Sequence, residues 1–149
     1  MKRFLAITAI TLAALATPSF AAPQPYDQAA EIVDAFHTAL ATGDRDAVLA
    51  TLTDTVAIYE QGWVESSKAE YANEHLGEDL KFARSTKSEQ TRRTGLLTGD
   101  LAFVTTEGHT TGTFEGKPVD SITLETMILR RTSDGWRIVH IHWSSRKPK

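Results

Sequence analysis

Beyond about Ala83 the chain is almost entirely strand, and this constrains its fold more than any other feature. Four candidates, KSEQTRRTGLL, LAFVTTEGHTTGTF, SITLETMILRR and WRIVHIHW, are separated by turn signals at Gly99-Asp100, at Glu115 to Pro118 and at Ser133 to Gly135. Connections this short join antiparallel neighbours. A sheet built this way has one face that water can wet and one that needs a cover. The cover must come from the N-terminal half. There, Ile32, Val33, Phe36 and Leu40 recur at helical spacing between Ala29 and Ala41, with Asp34, His37 and Thr38 largely off that stripe. Gly43 ends this helix, and Asp44 caps a short second one through Leu52. Val56 to Gln61 alternates as a strand. A third helix starts in the capping box Ser67-Lys68-Ala69-Glu70 and runs to about Ala83, with Ala72, His75, Leu76, Asp79 and Phe82 or Ala83 on one side. The predicted class is α+β, with helices on one face of a curved antiparallel sheet.

The opening residues follow a different pattern. MKRFLAITAITLAALATPSFAA starts with Lys2 and Arg3, continues with an apolar stretch from Phe4 to Ala16, and breaks at Pro18. Ser19 and Ala21 supply the small residues of a cleavage site after Ala21. This is the order of a secretory signal peptide, too short and too poorly flanked for a spanning helix. An uncleaved anchor fits Ser19-Phe20-Ala21 less well. The expected organisation is a signal peptide over 1–21, a linker over 22–28, one domain over 29–145 and a basic tail over 146–149, in a periplasmic or secreted protein. The chain has a formal charge of −3, and losing Lys2 and Arg3 makes the remainder more acidic. That argues against nucleic acid and, after cleavage, against membrane lipid as partners. With no cysteine, there is neither a disulfide framework nor a lipid-bearing cysteine, so stability has to come from the core or from association.

The order of elements, ending in ETMILRRTSDGWRIVHIHWSS, resembles the nuclear transport factor 2-like superfamily, the cystatin-like cone. The Glu-Thr of ETM, the Asp-Gly-Trp hairpin and the VHIHWS strand carry the likeness, which extends over the whole chain after the leader. The chain is most similar to the SnoaL-like small proteins of bacteria and to the association domain of calcium/calmodulin-dependent protein kinase II. The resemblance implies a cone with a central pocket between the curved sheet and three N-terminal helices, and pairing of subunits through the outer sheet face. It also implies that the positions holding pocket arginines in the kinase association domain are Glu107, Met127 and Trp143 here. None is basic, which argues against an anionic ligand held in that way and leaves the expected pocket without an arginine. The fold hosts isomerases, cyclases, dehydratases, association hubs and binding modules, so it does not choose among them.

Strand side chains alternate, so His140 and His142 share a face. With Trp143 directed into the pocket, Val139 and Ile141 follow it inward, and the two histidines fall on the outer face with Trp136 and Ile138. That face is the expected homodimer contact, through Trp136, Ile138, His140 and His142. A bulge would reverse the parity and bring both histidines inside. His140 with His142 is also an alternative metal pair, short of a third ligand. On the inner side the expected acid–base candidates are Glu60, His75 and Glu125. The expected ligand contacts are Tyr59, Trp63, Tyr71, Glu107, Met127 and Trp143, with Thr105, His109 and Thr111 on the face of Glu107. Carboxylates grouped in a cone raise each other's pKa and suit a general base or a cation. Ordinary roles are open to each as well: Glu60 as a turn cap, Glu125 as a partner of Arg92 or Arg93, His109 as a solvated strand end, the aromatic residues as core or pocket wall.

Three functions stay open. The first is an exported pocket domain that binds a small organic molecule, cationic in the version the acidic lining favours. The second, implied by the resemblance, is an enzyme of the ketosteroid isomerase or polyketide cyclase kind, with isomerase, cyclase or dehydratase chemistry and no organic cofactor. Glu60 or Glu125 would be its base, and His75, Tyr59 or Tyr71 would hold a developing oxyanion. The third is a metal-binding protein built on His75, Glu60 and Glu125, or on His140 and His142. No HExxH pair, glycine-rich phosphate loop or other motif of fixed spacing selects among them.

Overall fold

Helix α1 (Asp27–Thr42) forms because one side of it is apolar. Ala29, Val33, Phe36 and Leu40 are buried along it, and Gly43, at φ 78°, ends it in the left-handed conformation that glycine adopts without strain. The computed structural model describes residues 25–149; the expected leader and the first three residues of the expected linker, 22–24, lie outside the described residues. Asp44 accepts from the Ala47 N–H and caps α2 (Arg45–Ala50). Strands β1 (Leu52–Glu60) and β2 (Trp63–Glu65) form a hairpin closed by Gln61 and Gly62. Both turn residues have positive φ, the conformation whose twist suits a two-residue hairpin. Ser67 accepts from the Glu70 N–H at 3.1 Å, and Glu70 reaches back to the Ser66 N–H at 2.7 Å. The capping box therefore starts α3 (Lys68–Glu74), with its return bond displaced by one residue. The expected single third helix is broken: His75, at φ −115°, ends α3 and begins α4 (Leu76–Ser85).

Strands β3 (Thr86–Thr98), β4 (Leu101–Phe114), β5 (Lys117–Thr132) and β6 (Gly135–Arg146) follow, joined by the three tight turns the sequence marks. The described strands form one curved sheet in the order β2-β1-β6-β5-β4-β3, and the helices pack on one face of it. This is the α+β class that the order of elements predicts and the cone that the resemblance implies. The sheet is not wholly antiparallel, because β1 runs parallel to β6. No hairpin links those two strands, so no short turn dictates their direction. Val33 and Phe36 from α1, Leu76 from α4, and Ile58, Met127 and Ile141 from the sheet meet in the core without exposure to water.

An irregularity in β6 sets the faces of the sheet. Leu129 of β5 pairs with Ile138 of β6, whereas Ile128 pairs with His140, so Val139 is an extra residue on the β6 side. Before it, Trp136 and Ile138 point into the core, 6% and 0% exposed; after it, Ile141 and Trp143 do. His140 and His142 lie on the outer face, where their rings contact Tyr59. The expected outer contact of Trp136 and Ile138 is thereby corrected: both are core residues, because the bulge shifts the alternation by one.

Candidate functional site

Pairing register lines up the inward side chains of neighbouring strands in rows across the sheet. One row is apolar: Ile58, Ile141, Met127 and Val104 are successive cross-strand neighbours, all fully buried. The next row is polar. It runs Glu60, Trp143, Glu125, Thr106 and Arg93, from β1 through to β3. Beyond it the central strands offer small or hydroxyl side chains, first Ser145, Thr123 and Gly108, then Ser121 and Thr110. Thr110 is tied to Ser88 of β3 at 2.6 Å. Because this wall projects so little, a cavity of about 840 Å³ opens between sheet and helices, with the polar row as a belt at its base.

Glu125 is the most enclosed member of the belt, 8% exposed. Its Oε2 accepts from the Trp143 Nε1–H and from Nε2 of His37 on α1, each at 2.8 Å. Burial alone would raise the Glu125 carboxyl. The His37 charge, the hydrogen bonds from His37 and Trp143, and the Arg93 charge outweigh burial and hold it below the usual carboxylate value. His37 shows the converse: burial would lower it, and the charge and hydrogen bond of Glu125 raise it instead. The two form a hydrogen-bonded histidine–carboxylate pair. Glu125 Oε1, by contrast, is buried with no partner among the described residues. At the end of the row Arg93 donates to Asp34 of α1 at 2.6 Å. The pocket thus contains an arginine that the sequence reading did not place there, and its charge is met by α1.

A second group lies where the β1–β2 hairpin faces the break between α3 and α4. His75 Nδ1 donates to Glu65 Oε1 at 2.8 Å, while its Nε2 stands 3.6 Å from Glu60 Oε2 and 3.5 Å from Asp79 Oδ1. The Tyr71 O–H donates to the other Asp79 oxygen at 2.7 Å. Burial pushes the Asp79 carboxyl up to about 6, partly offset by the Tyr71 bond and the His75 charge. Burial also raises the Tyr71 hydroxyl, and the Asp79 charge adds to it. For His75, burial acts downward, but Asp79, Glu65 and Glu60 together leave it raised.

Glu60, His75, Glu125 and Trp143 line one cavity, and Trp63 stands at its rim, 75% exposed. Tyr71 and Met127 are buried in the core behind the lining. Two expected ligand contacts fall on the opposite side of the sheet. Tyr59 packs against His140 and His142, and Glu107 pairs with Arg92 at 3.2 Å. The reason for Glu107 is that β4 turns Ala102 and Val104 inward while the larger Leu101 and Phe103 face out. Among the described residues no third ligand joins His140 and His142, and the group that could hold a metal is Glu60, His75 and Asp79, without Glu125. Sequence reading missed His37, Glu65 and Asp34. His37 had a signal: it lies four residues after Val33 and three before Leu40, beside the buried stripe.

A family model described as a SnoaL-like domain matches residues 29–147. Among solved structures, the chain is similar to a Shewanella frigidimarina protein provisionally named a ketosteroid isomerase. The two are 39% identical over 78% of this chain and 94% of that one, with a TM-score of 0.76. It shares its fold with a Streptomyces avermitilis protein of the NTF2-like family, provisionally named a dehydratase, at 22% identity over 80% of this chain and 95% of that one, TM-score 0.69. The S. rosetta CaMKII hub is similar in the same sense, at 21% identity over 85% of this chain and 100% of that one, TM-score 0.69. No curated protein sequence matches.

Proposed function

The chain belongs to the SnoaL-like family, and we propose that its cone binds a small organic molecule presenting a hydrogen-bond donor, an ammonium or a neutral N–H or O–H, to Glu125. The carrying observation is Glu125 Oε1, a buried carboxylate oxygen in the cavity lining without a partner among the described residues. Leaving such a group unsatisfied costs about 1–3 kcal/mol, more when it is charged, and a donor on the ligand removes that cost. His37 and Trp143 hold the other oxygen, so the acceptor is fixed in place before a ligand arrives. Calorimetry with a panel of small amines, amides and alcohols tests this. A binder should lose at least about tenfold in affinity in Glu125→Gln, equivalent to about 1.4 kcal/mol. Failure of every class to bind, or equal affinity in the variant, refutes the reading.

A second reading, proton-transfer catalysis of the isomerase kind, is supported by the 39% identity to the Shewanella protein provisionally named a ketosteroid isomerase. Asp79 is its best base, since a carboxyl at about 6 is half-ionised near working pH. Glu125 has one oxygen held by His37 and Trp143, Tyr71 is fully buried and Tyr59 lies outside. Turnover of an enolisable ketone should fall as pH drops through about 6, and Asp79→Asn should abolish it.

We further propose export with cleavage after Ala21, supported by the leader pattern; an intact mass beginning at Met1 rules it out. Self-association through the outer face completes the proposal. His140, Ile128, Phe103 and Leu96 are cross-strand neighbours there, and Phe103 and Leu96 are 43% and 63% exposed. A contiguous apolar row of this kind favours a protein partner over water.

A further inference from the structure

We propose that Glu60, His75 and Asp79 form a binding site for one divalent transition-metal ion of the zinc class, in the cavity wall and separate from Glu125. One ligand atom from each lies within 4.8 Å of the others. The two edges that meet at His75 Nε2 measure 3.6 and 3.5 Å. A tetrahedral site with bonds of about 2.0–2.1 Å has ligand–ligand edges of about 3.3–3.4 Å, so these edges need little adjustment. The remaining edge closes through Glu60, the last residue of β1 and partly exposed, whose side chain has room to turn.

The surroundings are those of a metal-bound imidazole. Glu65 holds Nδ1–H of His75, which leaves Nε2 as the lone-pair atom and aims it at Glu60 and Asp79. Tyr71 does the same for Asp79, holding Oδ2 and leaving Oδ1 toward Nε2. Charge gives an independent reason. Three carboxylates surround this one imidazole, and among the described residues none of the three pairs with a lysine or arginine. Glu65 is 6% exposed, and its Oε2 has no partner among the described residues, so an enclosed anion abuts the cluster with one oxygen unsatisfied. A divalent cation offsets that excess. The donor set of one imidazole and two carboxylates suits zinc-like ions better than magnesium or calcium, which prefer oxygen alone. Three protein ligands leave a fourth position for water or for a ligand in the cavity.

This site goes beyond the ligand reading and uses none of Glu125's contacts, so each can fail alone. The test is titration of untagged, chelator-treated full chain with Zn²⁺ against a chromogenic competitor. The expected result is one Zn²⁺ per chain and a rise in Tm with Zn²⁺. Glu60→Gln and His75→Gln should weaken binding at least about tenfold, and Glu65→Gln about 10–100-fold, the usual effect of losing a partner behind a ligand. Glu125→Gln and the double variant His140→Ala, His142→Ala should bind as the wild type does. Glu60 is partly exposed at a strand end, so Glu60→Gln should fold normally, which its metal-free Tm verifies. Absence of stoichiometric binding, unchanged binding in Glu60→Gln, or loss of binding in the His140, His142 variant overturns the proposal.

Discussion

Replacing Trp143 with Phe removes the indole N–H and retains a ring that can still pack near Phe36, whose ring lies 6.1 Å away. The lost bond is the 2.8 Å contact to Glu125 Oε2, in a residue 8% exposed. A hydrogen bond to a charged group contributes about 1.5–3 kcal/mol, and the smaller ring adds about 1 kcal/mol of lost packing. Trp143→Phe should therefore destabilise by about 3 kcal/mol at pH 7. The pH dependence identifies the cause. Glu125 is depressed below its ordinary value, so its contribution is present above the unfolded-state value and lost as pH falls through the folded one. Without the indole bond the folded value moves back up, and the difference between the two proteins shrinks toward the packing part alone as Glu125 protonates in both. Urea unfolding at a series of pH values from neutral to acid measures this. A difference independent of pH, or one under about 0.5 kcal/mol at neutral pH, a typical surface-substitution effect, refutes the assignment of Trp143 as a donor to a charged Glu125.

His37 is raised above 6.5, so its stabilisation is fully present below that value and fades as pH rises through the folded value; His37→Gln should flatten that decline, read by thermal melts from pH 6 to 9. Ile138→Asp buries a charge at a fully enclosed core position and should cost more than about 4 kcal/mol, giving an unfolded or insoluble chain; a soluble, folded monomer contradicts the bulge assignment. Phe103→Glu on the outer face should leave Tm within a few degrees and yield a monomer by light scattering; an unchanged assembly places the interface elsewhere.

Much of this architecture was legible because local chemistry and fold agree. The buried stripe of α1, the Asp44 cap, the Ser67 capping box and the tight strand connections are all visible in the sequence and present in the structure. The faces of the strands were harder to read. In β4, Leu101 and Phe103 suggest the buried side, yet Ala102 and Val104 occupy it, and the Thr-rich remainder offers no apolar alternation to correct the choice. The resemblance to the kinase association domain places Glu107 inward, and nothing in this strand's own pattern contradicts that placement. In β6, His140 and His142 were placed outside correctly, but Val139 interrupts the alternation, and no residue type announces a bulge there. The site's pairings were illegible for a different reason. His37 meets Glu125 across 88 residues of sequence, a contact that only the closure of α1 over β5 creates.

The separation of the polar row from the wall above it has an implication for how such a protein changes its guest. On the proposed reading, anchoring would depend on the row of Glu60, Trp143, Glu125 and Arg93, while the room available depends on Ser145, Thr123, Gly108, Ser121 and Thr110, two residues or more further along the same strands. Bulk added at Ser121 or Ser145 would shrink the chamber and leave the anchor and its charge balance alone. Size selection and chemical selection can therefore drift apart in descendants of one ancestor. Two chains with an identical belt can take different molecules, and the wall is where that difference would be written.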